Sequence, residues 1–123
     1  MFKYHSTGNS AVIAELIDSN FIIKEAQDAL DLLAGIEVEG CSRFIIYKEN
    51  LSDAFFSLGS GLAGEILQKF SNYRVRLAVI GDFSAYKSKN LNDFFRESNR
   101  TGNILFVSNL QEALSRFSNK YYP

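Results

Sequence analysis

Six consecutive residues, Gly59-Ser60-Gly61-Leu62-Ala63-Gly64, match the pattern G-x-G-x-x-G letter for letter. In dinucleotide-binding proteins such glycines allow a tight turn and a close approach of the pyrophosphate, which lies at a helix N-terminus. A carboxylate about 20 residues later accepts a hydrogen bond from the ribose, and Asp82 follows Gly64 by eighteen residues. One hypothesis is therefore a nucleotide-binding enzyme that uses the stretch Gly59–Gly64 and Asp82.

The sequence around these glycines favours a different interpretation. A dinucleotide fingerprint follows a buried strand directly, whereas residues 52–57 are typical of a helical turn capped by Asn50 or Ser52. Only 59 residues follow the motif, too few for two mononucleotide-binding halves. Here the small residues would instead let a helix begin close to a sheet. A strand ending directly at Gly59 would favour the enzyme, and a helical turn at 52–57 would favour a binding domain.

Composition excludes several other classes of site. The chain has 123 residues with one cysteine and one histidine, which excludes a disulfide framework and a Cys/His zinc site. Without His5 it also lacks the base of a Ser-His or Cys-His centre. We expect Cys41 to be inert packing and His5, which has no evident partner, to be a surface or packing residue.

The charge and hydropathy of the chain bear on its partners. The net charge is −1, so we expect no nucleic-acid or membrane partner, and no apolar run approaches the length of a membrane span. We therefore expect a cytoplasmic protein without a cofactor. From Glu15 to Glu65 the net charge is −7, and from Lys69 to Arg100 it is +4. This asymmetry predicts self-association, as in a homodimer, or an anionic ligand on the later half. The alternative is that these charges form ordinary solvated helix faces.

Hydrophobic periodicity predicts one domain, residues 1–123, in which strands alternate with helices. Strands are predicted at 2–5, 11–16, 43–47, 75–80 and 104–107, the first two joined by a turn at Thr7-Gly8-Asn9. Helices are predicted from Lys24 to about Gly35, from 62 to 70, from Leu91 to about Gly102 and from 110 to 117, with a polar loop at 83–90. This order predicts an α/β fold: a mixed, largely parallel sheet with helices packed on it and an N-terminal β-hairpin.

The run from Arg43 to Leu114 resembles a STAS domain, the fold of the bacterial anti-sigma-factor antagonists. Residues 58–63, Leu-Gly-Ser-Gly-Leu-Ala, fall on the Asp-Ser-Ser-Gly-Leu-Gly-type motif of that family, and residues 109–114 are similar to the start of its terminal helix. Four further segments, 61–70, 72–75, 81–83 and 97–100, resemble a small bacterial family described only as a domain of unknown function. The resemblance implies a single STAS-like domain of regulatory or binding function, without enzymatic activity.

In the antagonists, the serine directly after the aspartate is phosphorylated. Those two positions are Leu58 and Gly59 here, and Ser60 matches only the second serine. Ser60 is therefore the candidate phosphorylation site, because a helix N-terminus accommodates added negative charge. The alternative is that Ser60 is an uncharged N-cap.

A largely parallel sheet would gather the loops after residues 47, 80 and 107 at one edge, where such folds bind ligands. Two helix N-termini and two lysines there predict a small anionic ligand or a protein partner. The residues predicted to form this binding face are Ser60, Gly61, Asp82, Phe83, Ser84, Lys87 and Lys89.

Overall fold

The computed structural model describes residues 1–7, 11–38 and 40–118. Its five strands are β1 (Phe2–Ser6), β2 (Val12–Leu16), β3 (Arg43–Tyr47), β4 (Arg76–Ile80) and β5 (Ile104–Val107). Its four α-helices are α1 (Ala26–Ala34), α2 (Leu62–Asn72), α3 (Lys89–Thr101) and α4 (Leu110–Ser118). Gly8 and Asn9 of the predicted turn lie outside the described residues.

The strands form one sheet in the order β1-β2-β3-β4-β5. β1 and β2 pair antiparallel, with Phe2 opposite Leu16, whereas β2, β3, β4 and β5 pair parallel. Parallel neighbours require a crossover connection, and α1, α2 and α3 lie in the three connections. The predicted α/β fold, with its N-terminal hairpin and largely parallel sheet, is confirmed.

Two hydrophobic cores lie on the two faces of the sheet. Helices α1, α2 and α3 pack on one face, against side chains such as Phe44, Leu77 and Phe106. Helix α4 packs on the other face, where Ala113 and Phe117 join a cluster that includes Ile45 and Leu105. Because alternate side chains of a strand point to opposite faces, a central strand covered on both sides is apolar throughout. The fully buried Phe44-Ile45-Ile46 run of β3 has this character.

Candidate functional site

The parallel strands β2, β3, β4 and β5 all end at the same edge of the sheet, which we call the carboxyl edge. The connections that leave this edge after β3 and β4 are long: residues 48–61 lead to α2, and residues 81–88 lead to α3. Long loops at a fixed edge carry most binding residues in folds of this kind. Six of the seven residues predicted for the binding face lie in these two connections.

The first connection consists of short 3₁₀ turns at Lys48–Asn50, Asp53–Phe56 and Leu58–Ser60. The Ser60 Oγ donates to the Ala54 carbonyl at 2.6 Å and accepts from the Leu62 N–H at 3.2 Å. Gly61 then adopts a left-handed conformation with φ of 81° at the N-cap position of α2, which glycine adopts without steric cost. The Ser60 hydroxyl therefore closes the loop and also binds the first turn of the helix.

Two predictions about this stretch are wrong. Neither Asn50 nor Ser52 caps the turn at 53–56: the Asn50 amide binds the Tyr47 N–H and the carbonyls of Asp18 and Phe21, and the Ser52 Oγ is buried without a hydrogen-bond partner. The glycines also do not bring α2 close to the sheet. A Cβ atom at Gly59 or Gly64 would meet no other atom within 4 Å, so only Gly61 is required by its backbone conformation.

The second connection is organised by Asp82, directly after β4. Its Oδ1 accepts hydrogen bonds from the Ser84 Oγ at 2.6 Å and from the Ser84 N–H at 3.0 Å. These bonds, first that from the side chain and then that from the backbone, hold the pKa of Asp82 below its ordinary value. The Lys48 Nζ donates to the Asp82 carbonyl at 2.9 Å and lies 4.9 Å from the centre of the Tyr86 ring. The Asp82 carboxylate is thus engaged with its own loop.

Aromatic contacts hold the two connections together. The Phe56 ring stacks on the Tyr86 ring, with centroids 5.1 Å apart and planes 19° apart. The Phe83 ring lies beside the Phe56 ring, with centroids 6.1 Å apart. It also packs edge-on against the Phe106 ring. We call a set of exposed residues from the two connections the carboxyl-edge surface: Leu58, Gly59, Ser60, Gly61, Asp82, Ser84 and Lys87.

Phe83 and Lys89 do not belong to that surface. Phe83 is half-buried and its ring faces the core, 5.2 Å from the Phe95 ring. Lys89 is the first residue of α3, so the polar loop ends earlier than the predicted position 90, and Ser88 caps the helix through the Leu91 N–H. The Lys89 Nζ lies 2.9 Å from Asp93 Oδ2, one turn later in the helix. Lys89 is therefore a helix-surface residue.

Two of the clefts at the carboxyl edge lie against the loops that carry the predicted binding face. One, of about 330 Å³, lies between residues 81–84 and 106–108, and the other, of about 400 Å³, lies between Lys48, Asp53, Phe56 and Tyr86. Both are large enough for a peptide side chain or a small metabolite. Lysine, carboxylate and aromatic groups line the second cleft together. The cleft can therefore contact ligand groups of either charge.

A buried polar cluster, which the sequence did not reveal, links β1, β2 and β3. Glu15 is 5% exposed; its Oε1 lies 2.8 Å from His5 Nε2, and its Oε2 accepts from the Tyr47 hydroxyl at 2.7 Å. Burial, the hydrogen bond to Glu15 and the charges of Glu15 and Glu49 raise the pKa of Tyr47 to about 12. The expectation that His5 lacks a partner is therefore wrong.

The register of the hairpin holds the signal that could have revealed this cluster. His5 pairs with Ile13, so its side chain lies diagonal to that of Glu15, within reach of a long polar side chain. Tyr47 lies in β3, two residues after Ile45, and Ile45 is in register with Glu15. Since both carboxylate oxygens have partners, the cluster satisfies the buried charge and fixes the hairpin against β3.

Three further features of the described residues concern metal binding, the thiol of Cys41 and membrane-spanning helices. Within residues 1–7, 11–38 and 40–118, no three His, Cys, Asp or Glu side chains are grouped so that they could hold a metal ion. The Cys41 thiol is half-buried and contacts the carbonyls of Val12 and Arg43 at 3.5 and 3.6 Å. Within the same residues, no helix is long and apolar enough to cross a membrane.

Comparison with known protein families gives a match over most of the chain. The protein family described as "Domain of unknown function (DUF4180)" matches residues 8–117. No curated protein and no solved structure matches the chain.

Proposed function

Since the chain belongs to the DUF4180 family, whose description names no activity, we propose that it is a STAS-like regulatory domain that binds a protein partner without catalysing a reaction. The carboxyl-edge surface makes the contact. The observation that carries this proposal is the Phe56–Tyr86 stack, because it holds two loops from different parts of the chain as one preformed surface.

The order of elements supports a STAS-like arrangement. A buried strand, β3, leads through a turn-rich loop to α2, and β4, α3, β5 and α4 follow in sequence. This is the order that the resemblance between residues 43–114 and STAS domains implies. In that comparison, residues 58–63 occupy the position of the antagonists' regulatory loop, and Leu58–Gly61 are exposed here.

The nature of the surface supports a protein partner. Leu58 is 37% exposed, and an exposed apolar side chain surrounded by polar groups is typical of a contact surface. Lys87 and Asp82 lie on the second loop, so the surface carries charges of both signs. A rigid loop loses little conformational entropy on binding, which favours affinity.

The nucleotide-binding alternative lacks the structural context that it needs. β3 ends at Tyr47, and residues 48–58 with their 3₁₀ turns lie between that strand and Gly59. The dinucleotide fingerprint uses its last glycine for close packing of helix on strand, whereas Gly64 is exposed with open space beside it. The helical turn at Asp53–Phe56 is the feature that favours a binding domain.

A regulatory modification of Ser60 would act on the same surface. A phosphorylated Ser60 can no longer donate to the Ala54 carbonyl, a bond of 2.6 Å in the structure. The added charge would lie at the N-terminus of α2, where the helix dipole favours it. We propose that phosphorylation opens the loop from Ala54 to Ser60 and so changes the affinity for the partner.

The test is site-specific photo-crosslinking of the full chain in its native cells. A photoreactive amino acid is placed at Leu58 or at Lys87, and, as a matched control, at the exposed Ser115 of α4 on the other face of the sheet. We expect one discrete covalent adduct of the same mass from both carboxyl-edge positions and no such adduct from Ser115. Adducts from Ser115 alone, or none from Leu58 and Lys87, would contradict the proposal.

A further inference from the structure

The opposite edge of the sheet, where β3, β4 and β5 begin, holds a separate cavity of about 350 Å³. We call it the amino-edge cavity. Its apolar wall consists of Leu67 and Phe70 from α2 and Val75 from the connection to β4. Its polar lining consists of Arg74, Arg76, Ser71 and Asn103. The cavity therefore combines two guanidinium-bearing residues with an apolar wall.

Arg74 lies in an unusual backbone conformation. With φ of 56°, it is the only described residue other than glycine that has a positive φ. The Val75 N–H donates to the Phe70 carbonyl at 2.8 Å, a bond that closes the C-terminus of α2 with Arg74 at the left-handed position. Glycine is the residue that this position favours, since side chains are strained there.

The guanidinium of Arg74 makes no contact with the described residues that would explain its presence at a glycine position. It is exposed and makes no ion pair or side-chain hydrogen bond with any described residue. Backbone strain that no local contact offsets is a feature of functional sites. The motif fixes the direction in which Arg74 leaves the backbone, which places it at the cavity.

The charges around the cavity are of one sign. None of the described residues that line it is acidic. Arg76 donates from Nη1 to the Gly102 carbonyl at 3.2 Å, beside Asn103. The nearby Arg100 is engaged with Glu97. An anion at the cavity would offset this positive potential.

From these observations we propose that the amino-edge cavity binds a small molecule that carries a phosphate monoester and an apolar group. The phosphate would lie between Arg74 and Arg76, since one guanidinium group can donate two parallel hydrogen bonds to phosphate oxygens. The hydroxyl of Ser71 and the amide of Asn103 are further donors at the same lining. The apolar group would pack on Leu67, Phe70 and Val75. This site is independent of the proposed protein contact, which lies at the other edge.

A purely structural role for the arginines makes a different prediction. Helices α2 and α3 both end at this edge, and cations favour helix C-termini. If Arg74 only offset the helix dipole, its replacement would destabilise the fold and leave no ligand affinity to lose. The variant Arg74→Gly separates the two roles, because glycine removes the guanidinium and relieves the backbone strain together.

The experiment is calorimetric titration of the full chain with phenyl phosphate, and with benzoate as a probe of the same ring and a single charge. We expect saturable binding of phenyl phosphate, at least tenfold tighter than that of benzoate. In Arg74→Gly we expect at least a tenfold loss of affinity together with an unchanged or higher melting temperature. Lys24→Ala, which removes one exposed cation that belongs to neither proposed site, should bind as the wild type does.

The variant Arg74→Lys keeps the charge and loses the paired donors, so it should bind with intermediate affinity. It also provides the test if Arg74→Gly does not fold. The proposal is overturned if the wild type shows no saturable binding of phenyl phosphate. It is equally overturned if the Arg74 variants bind as tightly as Lys24→Ala, because the guanidinium of Arg74 would then be irrelevant to the ligand.

Discussion

The two edges of the sheet are built differently. At the carboxyl edge, residues 48–61 and 81–88 form long connections held together by stacked aromatic rings. At the amino edge, residues 73–75 and 102–103 are short connections that directly follow the ends of α2 and α3. The first edge is shaped by apolar packing under exposed loops, and the second by helix-terminal hydrogen bonds and arginine side chains.

This difference indicates what each edge can recognise. Packed rings hold a broad surface at fixed geometry, which suits contact with another protein. Short connections with arginines around a cavity suit a compact anion. The largest effects at the two edges should therefore differ in kind: removal of a packed ring at the carboxyl edge lowers stability, and removal of an arginine at the amino edge lowers the affinity for an anion.

The largest effect is expected from Phe95→Ala. The Phe95 ring is buried and lies 4.7 Å from Phe106, 5.2 Å from Phe83 and 6.0 Å from Tyr86. Its removal leaves a cavity beneath the carboxyl-edge loops and should lower the free energy of unfolding by about 3–5 kcal/mol. Chemical denaturation measures this quantity.

The matched control for Phe95 is Tyr73→Ala at the amino edge. Tyr73 is 62% exposed, so its removal should change the free energy of unfolding by less than about 0.5 kcal/mol. Similar losses in the two variants would show that aromatic packing does not distinguish the edges.

The next largest effect is expected from Tyr47→Phe. The change removes one of the hydrogen bonds to the buried Glu15 carboxylate and should cost about 1–3 kcal/mol at neutral pH. Burial and the bond to Glu15 raise the pKa of Tyr47 to about 12, from 10.0. The wild type therefore keeps this stabilisation below pH 10 and loses it as the pH rises towards 12.

Denaturation of both proteins between pH 9 and pH 12 measures this pH dependence. The difference in stability between wild type and Tyr47→Phe should shrink as the pH rises over that interval. A difference that stays constant up to pH 12 would show that the Tyr47 hydroxyl does not titrate in contact with Glu15.

A smaller effect of opposite sign is expected from Arg74→Gly. Because Arg74 has φ of 56°, glycine should raise the free energy of unfolding, by up to about 1 kcal/mol. The melting temperature measures this gain without any ligand. A clear loss of stability would mean that the Arg74 side chain stabilises the end of α2, and the two edges would then differ less than we infer.

The smallest effect is expected from Lys89→Gln. The Lys89 side chain is 88% exposed and pairs with Asp93 on the surface of α3, and such pairs contribute little in water. The melting temperature should not change measurably, and binding at the carboxyl-edge surface should be retained. Loss of binding in this variant would show that Lys89 belongs to the contact surface.

The backbone of the fold was predictable because periodicity and chain order determine it. Strand β3 has the apolar run Phe44-Ile45-Ile46, and α2 repeats Leu62, Ile66 and Phe70 at helical spacing, so both elements follow from local residues. Once the strands are parallel, the edge at which Ser60 and Asp82 meet also follows.

The site details were not predictable because they depend on distant pairs and on local geometry. Glu15 bonds to His5 across the hairpin and to Tyr47 across a parallel pair, which requires the strand register. The Phe56–Tyr86 stack joins loops thirty residues apart, and no periodicity marks it. The left-handed conformation of Arg74 could not be predicted, because the sequence has arginine at a position where a glycine would have indicated a positive φ.

The proposal that the carboxyl-edge surface binds a protein partner can be tested by substitution. Its most direct test is the affinity of the crosslinked partner, once identified, for Leu58→Arg and for the matched variant Ser115→Arg, which adds the same charge on the other face of the sheet. Placing a long cation in the surface should weaken binding at least tenfold, whereas Ser115→Arg should bind as the wild type does. Equal affinities for the two variants would contradict the claim.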